Sequence, residues 1–168
     1  MELKTMAQSL SPPPLDIWQY FVEELALRAL AEHESDRGHS GSVGVDFEVQ
    51  RNEKNPIEYR IIMRIKLAES GYVPEENPPY SLALTISGYF RFEAGTDEPT
   101  MKRMLHVNGT SILYGIARGL VGQATGASVH GQFVLPTVNF IQILEARERA
   151  KAESHAPAIE SPADGHSE

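Results

Sequence analysis

A chain of 168 residues, 41% of them hydrophobic, suffices for one domain with a real core and is too apolar to stay unfolded. Its net charge of -8 argues against general nucleic-acid binding, which needs clustered Lys and Arg, and its lack of cysteine excludes a disulfide framework, a thiol nucleophile and a Cys-ligated zinc. No apolar run approaches the roughly 20 residues that span a bilayer, and Met1–Pro14 lacks the basic start and apolar core of a signal peptide, so no membrane insertion and a cytoplasmic location are expected.

Met1–Pro14 ends in Ser-Pro-Pro-Pro and is expected to be a flexible arm, because prolines block helix and sheet pairing. In Leu15–Glu32 two patterns compete. Trp18, Phe21, Val22, Leu25 and Ala29 share a helical face, while Ile17, Phe21, Leu25 and Leu27 fit an alternating strand; pattern alone favours the helix. His33–Gly41 is a polar loop. Val43, Val45, Phe47 and Val49 then alternate with Gly44, Asp46, Glu48 and Gln50, a half-buried strand. After a polar turn at Arg51–Pro56, Ile57–Leu67 alternates again, with Glu58, Arg60, Arg64 and Lys66 on its wet face. A proline-rich loop over Glu69–Pro79 leads to a strand at Tyr80–Phe92. Consecutive strands with short polar connections imply an antiparallel sheet.

Thr96-Asp97-Glu98-Pro99 supplies a capping side chain, an early acid and an early proline, which start a helix. It runs past Met101 and Met104, read as gap-fillers, into Ser111–Ala124. There Ile112, Ile116 and Leu120 form one apolar stripe, with Leu113, Ala117, Val121 and Ala124 beside it. A helix apolar around most of its girth must be covered on two sides. The sheet covers one side, and a second copy of the chain is expected on the other, through Leu113, Ile116 and Leu120. Gly115, Gly119 and Gly122, each costing about 1 kcal/mol against Ala, fall near one face where backbones can approach closely. Gly126–Pro136 is a crossover, and Thr137–Lys151 is a final helix. Residues 151–168 are expected to be a disordered acidic tail, since beyond Lys151 come Glu153, Glu160, Asp164 and Glu168 and no base. Strands followed by helices make an α+β domain over residues 15–150.

Catalytic chemistry is not legible. Of the histidines, only His106 and His130 sit among structured stretches, and no metal-binding pair, nucleophile elbow or phosphate loop occurs. Glu23 and Glu24, adjacent on a strand, are expected on opposite faces. The Asn108-Gly-Thr110 sequon carries no meaning in a cytoplasmic chain. Apolar surface without chemistry points to a binding protein, not an enzyme, with no cofactor and no metal.

Leu113–Arg118 (L-Y-G-I-A-R) followed by G-Q-F-V-L-P-T-V-N-F at 131–140 resembles the signature of the protein-export chaperone SecB family. Gly88-Tyr89-Phe90 is similar to the family's Gly-aromatic strand end, and Tyr20-Phe-Val-Glu-Glu-Leu25 to its first strand. The resemblance implies a four-stranded antiparallel sheet with two helices on one face, assembled as a dimer of dimers, that is, a homotetramer. It makes Leu15–Ala29 a strand. It also implies an ATP-independent holdase that keeps precursor proteins unfolded in apolar grooves and passes them to the motor SecA. By position those grooves take Phe47, Val49, Phe133, Leu135, Phe140, Ile141 and Leu144. Glu24 matches one acid of the family's SecA contact, whereas Arg28, Ser81 and Ala83 stand where an acid, an apolar residue and an acid belong. The alternative is a dedicated chaperone or adaptor of one partner, such as an antitoxin, with no role in export.

Overall fold

The computed structural model describes residues 14–154. The arm expected at 1–14, except Pro14, and the tail expected at 151–168, except 151–154, lie outside the described residues. Four strands come first: β1 Leu15–Ala29, β2 Gly44–Arg51, β3 Glu58–Leu67 and β4 Tyr80–Phe92. The helical part follows, with α1 Glu98–Met104, a π-helical segment Leu105–Gly109, α2 Thr110–Thr125 and α3 Phe140–Ser154. The sheet order is β1-β4-β3-β2, and every pairing is antiparallel. β2, β3 and β4 form a meander, and β1 adds to the far side of β4. Both β1 and β2 are therefore edges.

The helix favoured by pattern in Leu15–Glu32 is a strand, and its irregular pattern has a local cause. Register shifts between Ile17 and Gln19, and between Val22 and Glu24, insert an extra residue twice. The residues opposite the core-facing side of β4 are Leu15, Ile17, Tyr20, Val22, Leu25, Leu27 and Ala29. Their spacing mixes two with three, which imitates a helical period. A bulge leaves its extra residue outside the alternation. For this reason Glu23 and Glu24 do not point to opposite faces. Glu23 bonds to Ser87 and Arg60, and Glu24 accepts from Thr85, so both carboxylates lie on the outer face.

Ile61, Met63 and Ile65 of β3 and Leu82, Leu84, Ile86 and Phe90 of β4 make the sheet side of the core. Leu113, Ala117 and Val121 of α2 close it from above. Gly88 and Gly109 allow that closeness, because a Cβ at Gly88 would meet the Phe90 ring at 2.8 Å and one at Gly109 would meet Ile61 at 2.8 Å. Asp97 caps α1, its carboxylate accepting from Thr100 N at 3.0 Å, with Pro99 in the first turn. The π-helical turn widens the helix at 105–109 and frees carbonyls, which the Thr110 and Ser111 hydroxyls take up. α3 starts at Phe140 and not at Thr137, because the Asn139 side chain caps Ile141 N and Gln142 N at 3.1 and 3.3 Å. It also runs on to Ser154, past the expected end at Lys151.

Two long connections are tied together at Asn77, which is wholly buried with φ at 47°. Its amide donates to Glu34 O and Arg37 O at 3.0 and 2.8 Å and accepts from Glu34 N and Tyr72 OH at 2.9 and 3.0 Å. The His33 ring donates to Asn77 O at 2.9 Å. The β1–β2 loop is thereby fixed to the β3–β4 loop.

Candidate binding groove

An open groove of about 520 Å³ lies between α3 on one side and α1 with the π-helical segment on the other. Ile141, Leu144, Glu145 and Glu148 face it from α3, at the i, i+3, i+4, i+7 spacing of one helix face. Pro99, Lys102, Arg103 and Met104 face it from α1, and Val107 and Asn108 from the π-helical segment that follows. The lining combines apolar Met104, Val107, Ile141 and Leu144 with charged Lys102, Arg103, Glu145 and Glu148. α3 is held in place by Arg147, whose guanidinium lies 4.1 Å from the centre of the Phe47 ring. Arg147 also donates to Phe47 O at 3.3 Å and to the Asp46 carboxylate at 2.9 Å.

Of the residues expected to contact a client, the groove brings together Ile141, 50% exposed, and Leu144, half-buried. Phe47, Phe133, Leu135 and Phe140 have their side chains inside the protomer, and Val49 is half-buried on β2. Phe47 and Phe140 rest against each other with ring centres 6.1 Å apart, and Phe140 meets Tyr114 at 5.7 Å. Sequence reasoning missed Met104 and Val107. Their signal was an i, i+3 apolar pair on the same side as Lys102 and Arg103.

The crossover between α2 and α3 is anchored at several points. Burial pushes the Tyr114 phenol above its ordinary value, so it stays protonated and donates to Pro136 O at 2.8 Å. Thr125 Oγ1 accepts from Phe133 N at 2.8 Å, and Tyr80 OH donates to Gly131 O at 2.6 Å. His130 Nε2 donates to Leu30 O at 2.8 Å.

The outer face of the sheet is a second surface. Trp18 and Phe21 pack on Tyr89, with ring centres 5.6 and 5.8 Å away, and Arg91 and Arg60 lie over Trp18 and Tyr89. The Ser87 hydroxyl, and after it Arg60, hold the Glu23 carboxylate below its ordinary value of 4.5. A lowered folded value means that the interaction stabilises above that pH and is lost as pH falls through the lowered value. Glu23 is largely solvated, so the effect is small. Glu23→Gln is expected to flatten the fall in stability below pH 4.5, read from denaturation midpoints across an acid series.

A third surface joins α2 to the β1 edge. Ile112 is exposed, Ile116 and Leu120 are half-buried, and no atom comes within 4 Å of a Cβ placed on Gly115 or Gly119. Gly122 is different, being covered by Gln132. Leu113, grouped with this face by sequence, is wholly buried in the protomer. Tyr20, Val22 and Leu25 continue the apolar surface along the middle of β1, because α2 packs chiefly on β4 and β3 and leaves these three side chains exposed.

Among the described residues no group of three or more His, Cys, Asp or Glu is placed to hold a metal, and no helix is long and apolar enough to cross a membrane. Among solved structures, the Rv1957 SecB-like chaperone of Mycobacterium tuberculosis, in complex with a ChAD peptide from the Rv1956 HigA1 antitoxin, is similar in fold. It has a TM-score of 0.57 and 12% identity over 75% of this chain and 91% of that one. A protein of unknown function from Streptococcus agalactiae aligns at a TM-score of 0.40 and 14% identity over 73% of this chain and 97% of that one. No curated protein matches the sequence. A family model described as preprotein translocase subunit SecB matches residues 8–151, and the chain belongs to the SecB family.

Proposed function

We propose that this SecB-family chain is a cytoplasmic, ATP-independent holdase that binds unfolded preproteins through the groove between α1 and α3. The open groove, with Met104, Val107, Ile141 and Leu144 in its lining, carries this reading. At about 25 cal/mol per Å² of apolar area, covering several hundred Å² of client gives a gross gain of many kcal/mol. Ordering and association entropy remove most of it. The remainder is moderate, reversible and sequence-tolerant, and it needs no ATP, metal or cofactor. Binding also withdraws the client from folding by mass action. Homotetramer assembly through the α2 face and the exposed middle of β1 belongs to the same reading.

Light scattering after size exclusion, with and without a permanently unfolded polypeptide, tests it. The expected result is a mass near four chains that shifts on adding the polypeptide, with Leu144→Glu keeping the mass and losing the shift. A wild-type protein indifferent to unfolded chains would sink the holdase reading. Docking to SecA through Glu24 would have to use a face where Arg60, Arg64 and Arg91 stand among the acids, and titration with SecA tests that part separately.

A dedicated chaperone or adaptor of one partner, such as an antitoxin, is the second reading. It is favoured by the similarity to a structure solved with an antitoxin peptide. Suppression of aggregation of unrelated denatured proteins separates the two, since a dedicated adaptor leaves them to aggregate.

A further inference from the structure

We infer that the groove selects and orients its occupant by charge: an amphipathic segment whose apolar stripe is flanked by acids on one side and bases on the other. The inference rests on the reading of this groove as the client site. Lys102 and Arg103 stand on the α1 wall with Met104 and Val107 following them, and Glu145 and Glu148 stand on the α3 wall on the same helix face as Ile141 and Leu144. None of the four charged side chains forms an ion pair among the described residues. Elsewhere on the surface the pairing is dense: Arg60 with Glu23, Arg64 with Glu48, Arg91 with Glu58, and Arg147, one residue before Glu148, with Asp46.

The groove sets two cations on its α1 wall against two carboxylates on its α3 wall, with four apolar side chains in the same lining. A segment with acids on both flanks meets Glu145 and Glu148 on one side, and one with bases on both flanks meets Lys102 and Arg103. Only a split-charge segment satisfies both rims. Turning such a segment end for end exchanges its flanks, so the rims also fix its direction. Each exposed pair contributes little, but the rims act together, and unlike pairing changes to like repulsion when a flank is wrong. The groove volume of about 520 Å³ suits a few apolar side chains, one or two turns of a helix, so the rim charges lie within reach of its flanks.

Four synthetic peptides with one apolar stripe and split-charge, all-acidic, all-basic or uncharged flanks form the test. Binding to the full-length protein is followed by fluorescence anisotropy, with competition by an unfolded polypeptide. The split-charge peptide is expected to bind on the order of tenfold tighter than either like-charged peptide, and the preference is expected to fade at high salt. In the double variant Lys102→Glu and Arg103→Glu, preference is expected to pass to the all-basic peptide. Adding Glu145→Lys and Glu148→Lys is expected to restore the split-charge peptide in the opposite direction, read from a photocrosslinker at its N-terminus. Equal binding of all four peptides, or an unchanged preference in the double variant, would overturn charge selection and leave the groove as client site. Failure of every peptide to compete with the unfolded polypeptide would instead remove the groove reading itself.

Discussion

Leu113→Glu is expected to unfold the protomer, whereas Ile116→Glu, three residues on, is expected to leave it folded and abolish assembly. Leu113 has no exposed surface, and its methyl lies 3.0 Å from where a Cβ on Gly88 would sit. A carboxylate there loses the apolar contact and has no partner, and the effective penalty of several kcal/mol for an uncompensated ion rivals a typical total stability of about 5–15 kcal/mol. Ile116, about 60° round the helix from Leu113, is half-buried at the margin of the core, beside the exposed Ile112 and the uncovered Gly119. A charge at Ile116 can turn to solvent in the single chain, so it costs the protomer less than one at Leu113. It costs an assembly much more, since it would be buried between copies. Circular dichroism and light scattering on both variants check the pair. A folded Leu113→Glu protein would contradict the core described above, and full assembly of Ile116→Glu would contradict association through this face.

Asn77→Ala is expected to lose about 3 to 4 kcal/mol, from four side-chain hydrogen bonds at roughly 1 kcal/mol each in a buried site. Part of the loss is conformational, because Asn accepts a φ of 47° better than Ala does. Asn77→Gly separates the two contributions. It relieves the backbone but makes none of the side-chain bonds, so it should recover less than about 1 kcal/mol. Urea midpoints give the totals. Trypsin cleavage after Arg37 gives the local consequence, since the β1–β2 loop loses its hold on the β3–β4 loop. If Asn77→Gly is as stable as the natural protein, the hydrogen bonds contribute nothing and the description of this hub fails.

Much of the architecture was legible in the chain. The alternation in Val43–Gln50 and Ile57–Leu67, and the apolar positions of Tyr80–Phe92, place β2, β3 and β4 within a residue of where they lie. Asp97-Glu98-Pro99 marks the start of α1. Leu15–Ala29 resisted because two bulges break the period of two, and only the resemblance of Tyr20–Leu25 to a known first strand corrected the pattern. The π-helical turn left no periodic trace, since it changes backbone pairing and not the kind of residue used. The groove was half legible. Ile141 and Leu144 follow from position, but Phe47, Phe133, Leu135 and Phe140 have the same composition and point inward. Apolarity alone does not distinguish a residue that fills a core from one that waits for a partner.

The two bulges of β1 also give the strand slack in its length. In a regular strand, losing one residue turns everything on one side of the gap over, so inner side chains become outer. At Trp18 and Glu23 the extra residue stands outside the alternation. Removing either would leave Leu15, Ile17, Tyr20, Val22, Leu25 and Leu27 on the face they now occupy. The edge of this sheet can therefore vary in residue count without exchanging its two surfaces, a tolerance that β3 and β4, paired on both sides, do not share.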